Sequence, residues 1–257
     1  MTQTVLITGA SSGIGKELAK LYAQDGCDLI LVSRSEKGLK ALKKELEESR
    51  SMHAFVFAMD LSRVGSAEAL YHKISNSGRK VDVLINNAGF GDFGQAVDQS
   101  PRRVSDMIHL NITTLTQLSI LFGNDMRRRR AGAIMNVAST AAFQPLPYFA
   151  AYSASKAYVL SFTEALFKEL EDFNVAVTCL CPGGTRTEFF TTAGHPEINN
   201  EGLMDATAVA RLGKKALETR TMTVIAGCKN AFRAFLPRIL SRKRVASIAK
   251  KMMLEYK

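Results

Sequence analysis

No apolar run in this chain of 257 residues is long enough to span a bilayer, and no basic segment followed by an apolar core opens it. A cytoplasmic protein is therefore the default expectation. The four cysteines, Cys27, Cys179, Cys181 and Cys228, show no CxxC or metal-finger spacing, so no metal site is expected. Cys179 and Cys181 fall in an apolar run and read as core thiols of a reduced compartment. Internal repeats, low-complexity segments and linkers are also missing, which leaves one domain of the larger kind. Acidic residues are nearly absent from the end of the chain. From Lys229 onward there are nine Lys/Arg and a single acid, Glu255, against 25 Lys/Arg and 23 Asp/Glu before it. A near-neutral body thus carries a basic tail, and the body offers no continuing basic path for nucleic acid.

What is present is ordinary for a globular chain, 46% hydrophobic and 23% charged. Residues 4–10 read as a buried β-branched strand that runs into Thr8-Gly9-Ala10-Ser11-Ser12-Gly13-Ile14-Gly15 and then a helical pattern. A strand, a glycine-rich turn and a helix N-terminus make an anion site, because the backbone can approach a pyrophosphate with free N–H groups. That placement points to a dinucleotide. The next strand, residues 28–32, ends in Ser33-Arg34-Ser35, with no acid before Glu36. An acid there would hold ribose hydroxyls; an arginine accommodates a 2′-phosphate, so Arg34 favours NADP over NAD. Lys37 is a candidate second charge for the same phosphate.

Further strands are expected at residues 54–59, 81–85, 133–137, 175–180 and 222–226, alternating with helices. The pattern predicts an α/β fold, a single Rossmann-like, doubly wound parallel sheet of about seven strands with helices on both faces. The strand ends carry Asp60-Leu61, Asn86-Asn87-Ala88-Gly89, Ala138-Ser139-Thr140 and Pro182-Gly183-Gly184-Thr185-Arg186-Thr187. One helix is expected over residues 101–130. Asn111 sits inside it, where asparagine is an indifferent helix former, and Arg127 to Arg130 close it as a solvated, dipole-favoured cap.

Tyr152-Ser153-Ala154-Ser155-Lys156 places a phenol and an ammonium one helical turn apart. A cation nearby favours the phenolate, so such a pair can exchange a proton with a carbonyl or alcohol near neutral pH. Alone, the spacing is common on solvated helices.

Together these residues resemble the short-chain dehydrogenase/reductase family over about residues 4–227. Thr8 to Gly15 fits its TGxxxGxG turn and Asn86 to Gly89 its NNAG. Asn111, Ser139, Tyr152 and Lys156 fit its catalytic tetrad, and Pro182-Gly183 with Thr187 its nicotinamide-side loop. The resemblance implies that Gly9, Ser11, Ser12, Gly13, Ile14, Gly15, Ser33, Arg34, Asp60, Leu61, Asn87, Ala88, Gly89, Pro182, Gly183, Thr185 and Thr187 meet NADP(H), with Tyr152 and Lys156. It implies that Tyr152 is the proton donor in reduction and that Lys156 binds the nicotinamide ribose and lowers the Tyr152 pKa. Ser139 would hold the substrate oxygen, and Asn111 a water in a proton relay. A homo-oligomer, dimer or tetramer, through the helices of Asn111 and Tyr152 is implied as well.

Phe90, Phe93, Phe143, Leu146, Tyr148, Phe149, Phe189 and Phe190 fall in segments expected to flank the site and favour an apolar ligand. Residues 188–203 read as a lid. The expectation is an NADPH-dependent reductase of an apolar ketone, 3-oxoacyl thioester or oxosteroid. A membrane-surface lipid or acyl reductase and a non-catalytic NADP-binding partner protein are the alternatives. Residues 1–228 are read as the catalytic domain and 229–257 as a basic amphipathic extension. Phe232, Phe235, Leu236, Ile239 and Leu240 are expected on one helical face, with Pro237 starting or kinking a helix. That face packs on its own domain or a partner subunit, or lies peripherally on an anionic membrane.

Overall fold

A computed structural model describes residues 2–49, 52–195 and 202–254. The first β-strand, β1 (Thr4–Thr8), and the second, β2 (Asp28–Ser33), are joined by α1 (Gly13–Gln24). Then come α2 (Glu36–Ser49), β3 (Ala54–Ala58), α3 (Ser66–Asn76) and β4 (Val83–Asn86). Helix α4 (Pro101–Ile108) continues through a π-helical turn (His109–Thr114) into α5 (Leu115–Arg129), which leads to β5 (Gly132–Val137). Helix α6 (Ala150–Glu171), β6 (Val175–Cys181), a short α7 (Phe189–Thr192), α8 (Ala206–Glu218) and β7 (Thr223–Ile225) complete the sheet region. Two helices follow, α9 (Cys228–Phe235) and α10 (Arg242–Leu254).

The strands form one parallel sheet in the order β3-β2-β1-β4-β5-β6-β7. Because strand residues alternate between faces, Val5, Ile7, Leu29 and Leu31 pack on α1, α2 and α8, whereas Leu6, Ile30, Val32 and Leu84 pack on α3, α5 and α6. With both faces covered, the strands read as near-continuous apolar runs, which is how they stand out in the sequence. The doubly wound expectation is met. Cys179 and Cys181 are buried in β6, as read from their apolar surroundings.

Two local features differ from expectation, and a third follows it. The helix over residues 101–130 is not uniform, since a wider π turn interrupts it at Asn111. Its arginine end is more than a solvated cap: Arg129 donates to the carbonyl of Val81, and Arg130 donates to that of Asp172 at 2.7 Å. In the tail, α9 stops at Phe235 and a 3-10 turn (Leu236–Arg238) carries Pro237, so the helix breaks at the proline as expected. Proline lacks the N–H that an α-helix needs beyond its first turn.

The sheet reverses direction between β1 and β4: the chain winds outward through β2 and β3, then returns beside β1. A crevice opens at the carboxyl ends of the strands there, the place where open α/β sheets bind ligands.

Candidate active site

That crevice is a cavity of about 1080 Å³, bordered by every strand-end motif singled out above. Ligand pockets usually run to about 1,000 Å³, so this one has room for a dinucleotide and part of a substrate. At the β1 end, Gly9 (φ 66°) and Gly13 (φ 54°) take left-handed conformations that other residues adopt at a cost. A Cβ on Gly9 would stand 2.8 Å from Asn87 Nδ2, and one on Gly13 would stand 2.9 Å from Thr187 Cγ2. Helix α1 has no acid in its first turn, and the Ser12 side chain does not cap it. Its leading N–H groups thus face the cavity without a competing anion, and the turn fits a pyrophosphate.

Asn87 fastens the neighbouring loop to this turn. Its Nδ2 donates to the carbonyls of Thr8 (3.0 Å) and Gly9 (3.2 Å), while the N–H groups of Asn87 and Ala88 donate to Thr8 Oγ1. Asn86 points the other way and is buried, donating to Asn136 Oδ1 at 2.9 Å and Ser119 Oγ at 3.0 Å. Beside β2, Ser33 and Arg34 border the cavity with Asp60 and Leu61. Burial pushes the Asp60 carboxyl up, but hydrogen bonds from Ser62 and the charges of Arg63 and Arg34 outweigh it and hold the group below its usual range. Lys37 is exposed on α2 and does not border the cavity.

Ser139, Tyr152 and Lys156 meet at the far end. The N-terminal part of α6 buries Tyr152 and Lys156, at 9% and 4% exposure. Lys156 Nζ donates to the Val137 carbonyl at 2.8 Å and lies 5.8 Å from the centre of the Tyr152 ring. Ser139 Oγ accepts from the Ala141 N–H at 3.1 Å. Burial pushes the Tyr152 phenol up to about 12; a hydrogen bond with Ser139 opposes this. Burial also lowers Lys156 to about 8. By itself the cavity holds the phenol up, because desolvation disfavours its charged form.

Asn111 stands behind this cluster. The π turn aims its amide at Phe90: Nδ2 donates to the Phe90 carbonyl at 3.0 Å and to Ser155 Oγ at 3.1 Å, and Oδ1 accepts from the Phe90 N–H at 3.2 Å. A Cβ on Gly89 would meet both Asn111 Oδ1 (2.9 Å) and Lys156 Nζ (3.4 Å), so only a glycine lets the three approach. Asn111 and Gly15, like Lys37, are candidate residues that do not border the cavity. Gly15 instead brings α1 against the Gly9 carbonyl and Asn87.

The aromatic segments divide. Phe90, Leu146, Phe149, Phe189 and Phe190 border the cavity. Phe93 and Tyr148 stack on each other at 5.9 Å and line a separate, shallow surface recess, and Phe143 packs in a core cluster with Leu115 and Val159. Of the expected lid, α7 supplies Phe189 and Phe190; residues 196–201 lie outside the described residues. The loop after β6 is clipped to the far side of that segment, Arg186 N donating to the Met204 carbonyl and Met204 N to that of Gly184, each at 2.9 Å.

Two contributors have no signature in the sequence. His195 is buried beside Phe93, with ring centroids 4.4 Å apart, and its Nε2 has no hydrogen-bond partner among the described residues. The basic tail folds back, so that Asn230, Arg233, Ala234, Met252 and Met253 form one wall of the cavity. Contact between residues this far apart in the chain leaves no local pattern.

Charge on Lys156 has an expected cost that can be measured. The unfolded chain keeps this ammonium up to about pH 10.5, the folded chain only to about 8. Between those values the unfolded state binds the extra proton, so stability rises with pH there and the full cost is borne below pH 8. The shift corresponds to roughly 3 kcal/mol, reduced by about 1 if the Val137 carbonyl loses its donor. Lys156→Met is therefore expected to melt at a higher temperature than the parent at pH 7, with the gap closing by pH 10.5. Equal melting at both values would show that the lysine carries no buried charge.

The family model of short chain dehydrogenases matches residues 3–197. Among curated relatives, the ketoacyl reductase HetN of Nostoc sp. is 30% identical over 226 residues, covering 87% of this chain and 78% of its own. A short-chain dehydrogenase from Sphingobium yanoikuyae, solved in complex with NADPH, superposes with a TM-score of 0.82 at 30% identity over 98% of this chain and 95% of that one. A relative from Burkholderia phymatum, solved in complex with NAD, gives 0.83 at 25% identity over 92% and 93%.

Proposed function

The chain belongs to the short-chain dehydrogenase family of oxidoreductases, and on that premise we propose that it is an NADPH-dependent reductase of an apolar carbonyl compound, with Tyr152 as proton donor. The observation that carries this reading is one continuous cavity with Arg34 at one end and Ser139, Tyr152 and Lys156 at the other. When bound, the nicotinamide supplies the hydride.

The chain's own residues supply the rest. Ser139 orients the substrate oxygen beside the phenol by donating a hydrogen bond to it. Tyr152 gives that oxygen its proton; with burial pushing the group up to about 12, it enters the reaction protonated at neutral pH, which suits reduction. Lys156 holds the ribose hydroxyls, and its ammonium favours the phenolate left when Tyr152 gives up its proton. Asn111, fixed by Phe90, is assigned the holding of a water beside Lys156 that completes a proton path. Arg34 takes the 2′-phosphate as a charge-assisted, forked donor.

The substrate wall of Leu146, Phe149, Phe189 and Phe190 favours an apolar chain or ring next to the carbonyl. Together with the ketoacyl reductase relative, it makes 3-oxoacyl thioesters, bulky ketones and oxosteroids the first compounds to try. Exposed Ile120 on α5 and Tyr158 on α6 support pairing of two copies through these helices.

The test is the loss of reduced-nicotinamide absorbance against such a panel, with NADPH and NADH separately. Turnover with NADPH is expected on at least one of the three classes. Tight NADPH binding without turnover on any of them would leave a binding protein and contradict the proposal.

A further inference from the structure

Five of the ten exposed large apolar side chains among the described residues lie in the last stretch of the chain. They are Phe232 (64% exposed), Phe235 (50%), Ile239 (66%), Ile248 (58%) and Leu254 (44%). Phe232, Phe235 and Ile239 follow one another at helical spacing along α9 and the turn after it. On α10, Arg244, Ile248 and Lys251 share a second exposed stripe. The same stretch, residues 228–254, holds eight Lys/Arg and no acid. Its opposite side is used: Ala234, Val245 and Ala249 are buried, and Met253 packs in the cluster that contains Phe149 and Tyr152.

An outward surface of large apolar residues interleaved with cations, without one acid, is complementary to anionic phospholipid. The apolar side chains enter the boundary of the acyl chains and the cations meet the headgroups. A second copy of the same surface would oppose like charges across the contact, which costs binding energy. No helix among the described residues is long and apolar enough to cross a membrane, so the fit is to a surface.

We propose that α9 and α10 dock this protein on an anionic membrane surface, with the apolar outer face inserted and the cavity wall formed by Arg233, Met252 and Met253 directly behind it. The mouth of the cavity is then carried to the lipid boundary, where apolar substrates concentrate. Delivery of substrate in this way rests on the reductase reading above; the docking itself does not.

The experiment is flotation of the full chain with vesicles of phosphatidylcholine alone and with about one quarter phosphatidylglycerol, at about 0.05 M and 0.5 M salt. Binding is expected to be at least about tenfold stronger on the anionic vesicles and to weaken at least tenfold in high salt. Two triple variants, Phe232→Ser/Phe235→Ser/Ile239→Ser and Lys243→Glu/Arg244→Glu/Lys251→Glu, are each expected to lose about tenfold in binding. All six positions are exposed and none borders the cavity. Unchanged oxidation of NADPH by a water-soluble ketone would show that both variants are folded.

Failure of the parent to float with anionic vesicles at low salt overturns the docking and leaves the reductase reading intact if the ketone is still reduced. Flotation equal in parent and charge variant also overturns it. Flotation as expected with no turnover on any of the three carbonyl classes supports docking and removes the reductase reading. Self-association that the Phe232 triple variant abolishes, in a chain that ignores vesicles, assigns the face to a second copy and overturns the proposal.

Discussion

Tyr152→Phe is expected to lower kcat/KM for carbonyl reduction by about 10²–10⁴-fold, the usual worth of a positioned general acid. The loss should fall on kcat, with NADPH affinity and melting temperature nearly unchanged. The ring is what packs: its centroid lies 5.7 Å from that of Phe149 and 5.2 Å from that of Phe189, and phenylalanine keeps those contacts. Only the hydroxyl and its bond with Ser139 go. An interaction made chiefly in the transition state shows this pattern of lost kcat with preserved binding. Activity retained within about tenfold would mean that water or another group delivers the proton, and that the convergence of Ser139 and Tyr152 is structural.

Arg34→Asp is expected to shift the ratio of kcat/KM for NADPH over NADH by about 10²–10⁴-fold toward NADH. Two effects add. Loss of a charge-assisted bond to the phosphate removes roughly 1.5–3 kcal/mol, and a carboxylate facing a phosphate adds a repulsion of up to several kcal/mol. With NADH the same carboxylate gains the ribose hydroxyls as donors. Arg34 is exposed, so the parent's NADPH preference should also soften as salt rises. In the variant, Asp60 loses one of the positive charges that hold its carboxyl low and gains a negative neighbour. A ratio unchanged by the substitution would remove Arg34 as the discriminating group and leave the hydride chemistry untouched.

The sheet was legible because each strand is buried on two faces and so appears as an uninterrupted β-branched or leucine-rich run, as in β1, β2 and β6. The cavity was legible because the strand ends carry residues with a local reason to be there: glycines at positive φ, small residues after β4, and Asn87 to tie two loops. Its two ends, Arg34 and the Ser139–Tyr152–Lys156 cluster, emerge together in the structure as the motifs imply.

What escaped was set by longer-range geometry. Asn111 is an odd residue within a helix, but only the fold reveals the π turn that lends its amide to Phe90. Phe93 and Tyr148 looked like pocket aromatics by position. Tyr148 takes a left-handed conformation (φ 67°), and its ring stacks with Phe93, which stands behind Phe149 rather than on the cavity wall. Periodicity says which side of a helix is apolar, not which neighbour covers it. The tail therefore gave its apolar residues and its break near Pro237, while the use of Met252 and Met253 as a cavity wall depends on how the chain folds back. The Tyr152 phenol likewise depends on the depth of its burial, which a Tyr-x-x-x-Lys spacing does not encode.

The most direct measurement follows a deuterium label from the transferable position of NADPH into the product alcohol by mass spectrometry. One compound from each of the three carbonyl classes would be supplied. The account predicts that one label enters the alcohol for each NADPH consumed, because the hydride moves without exchange with water. Consumption of NADPH without label in any product, or NADPH bound and never consumed, would contradict it.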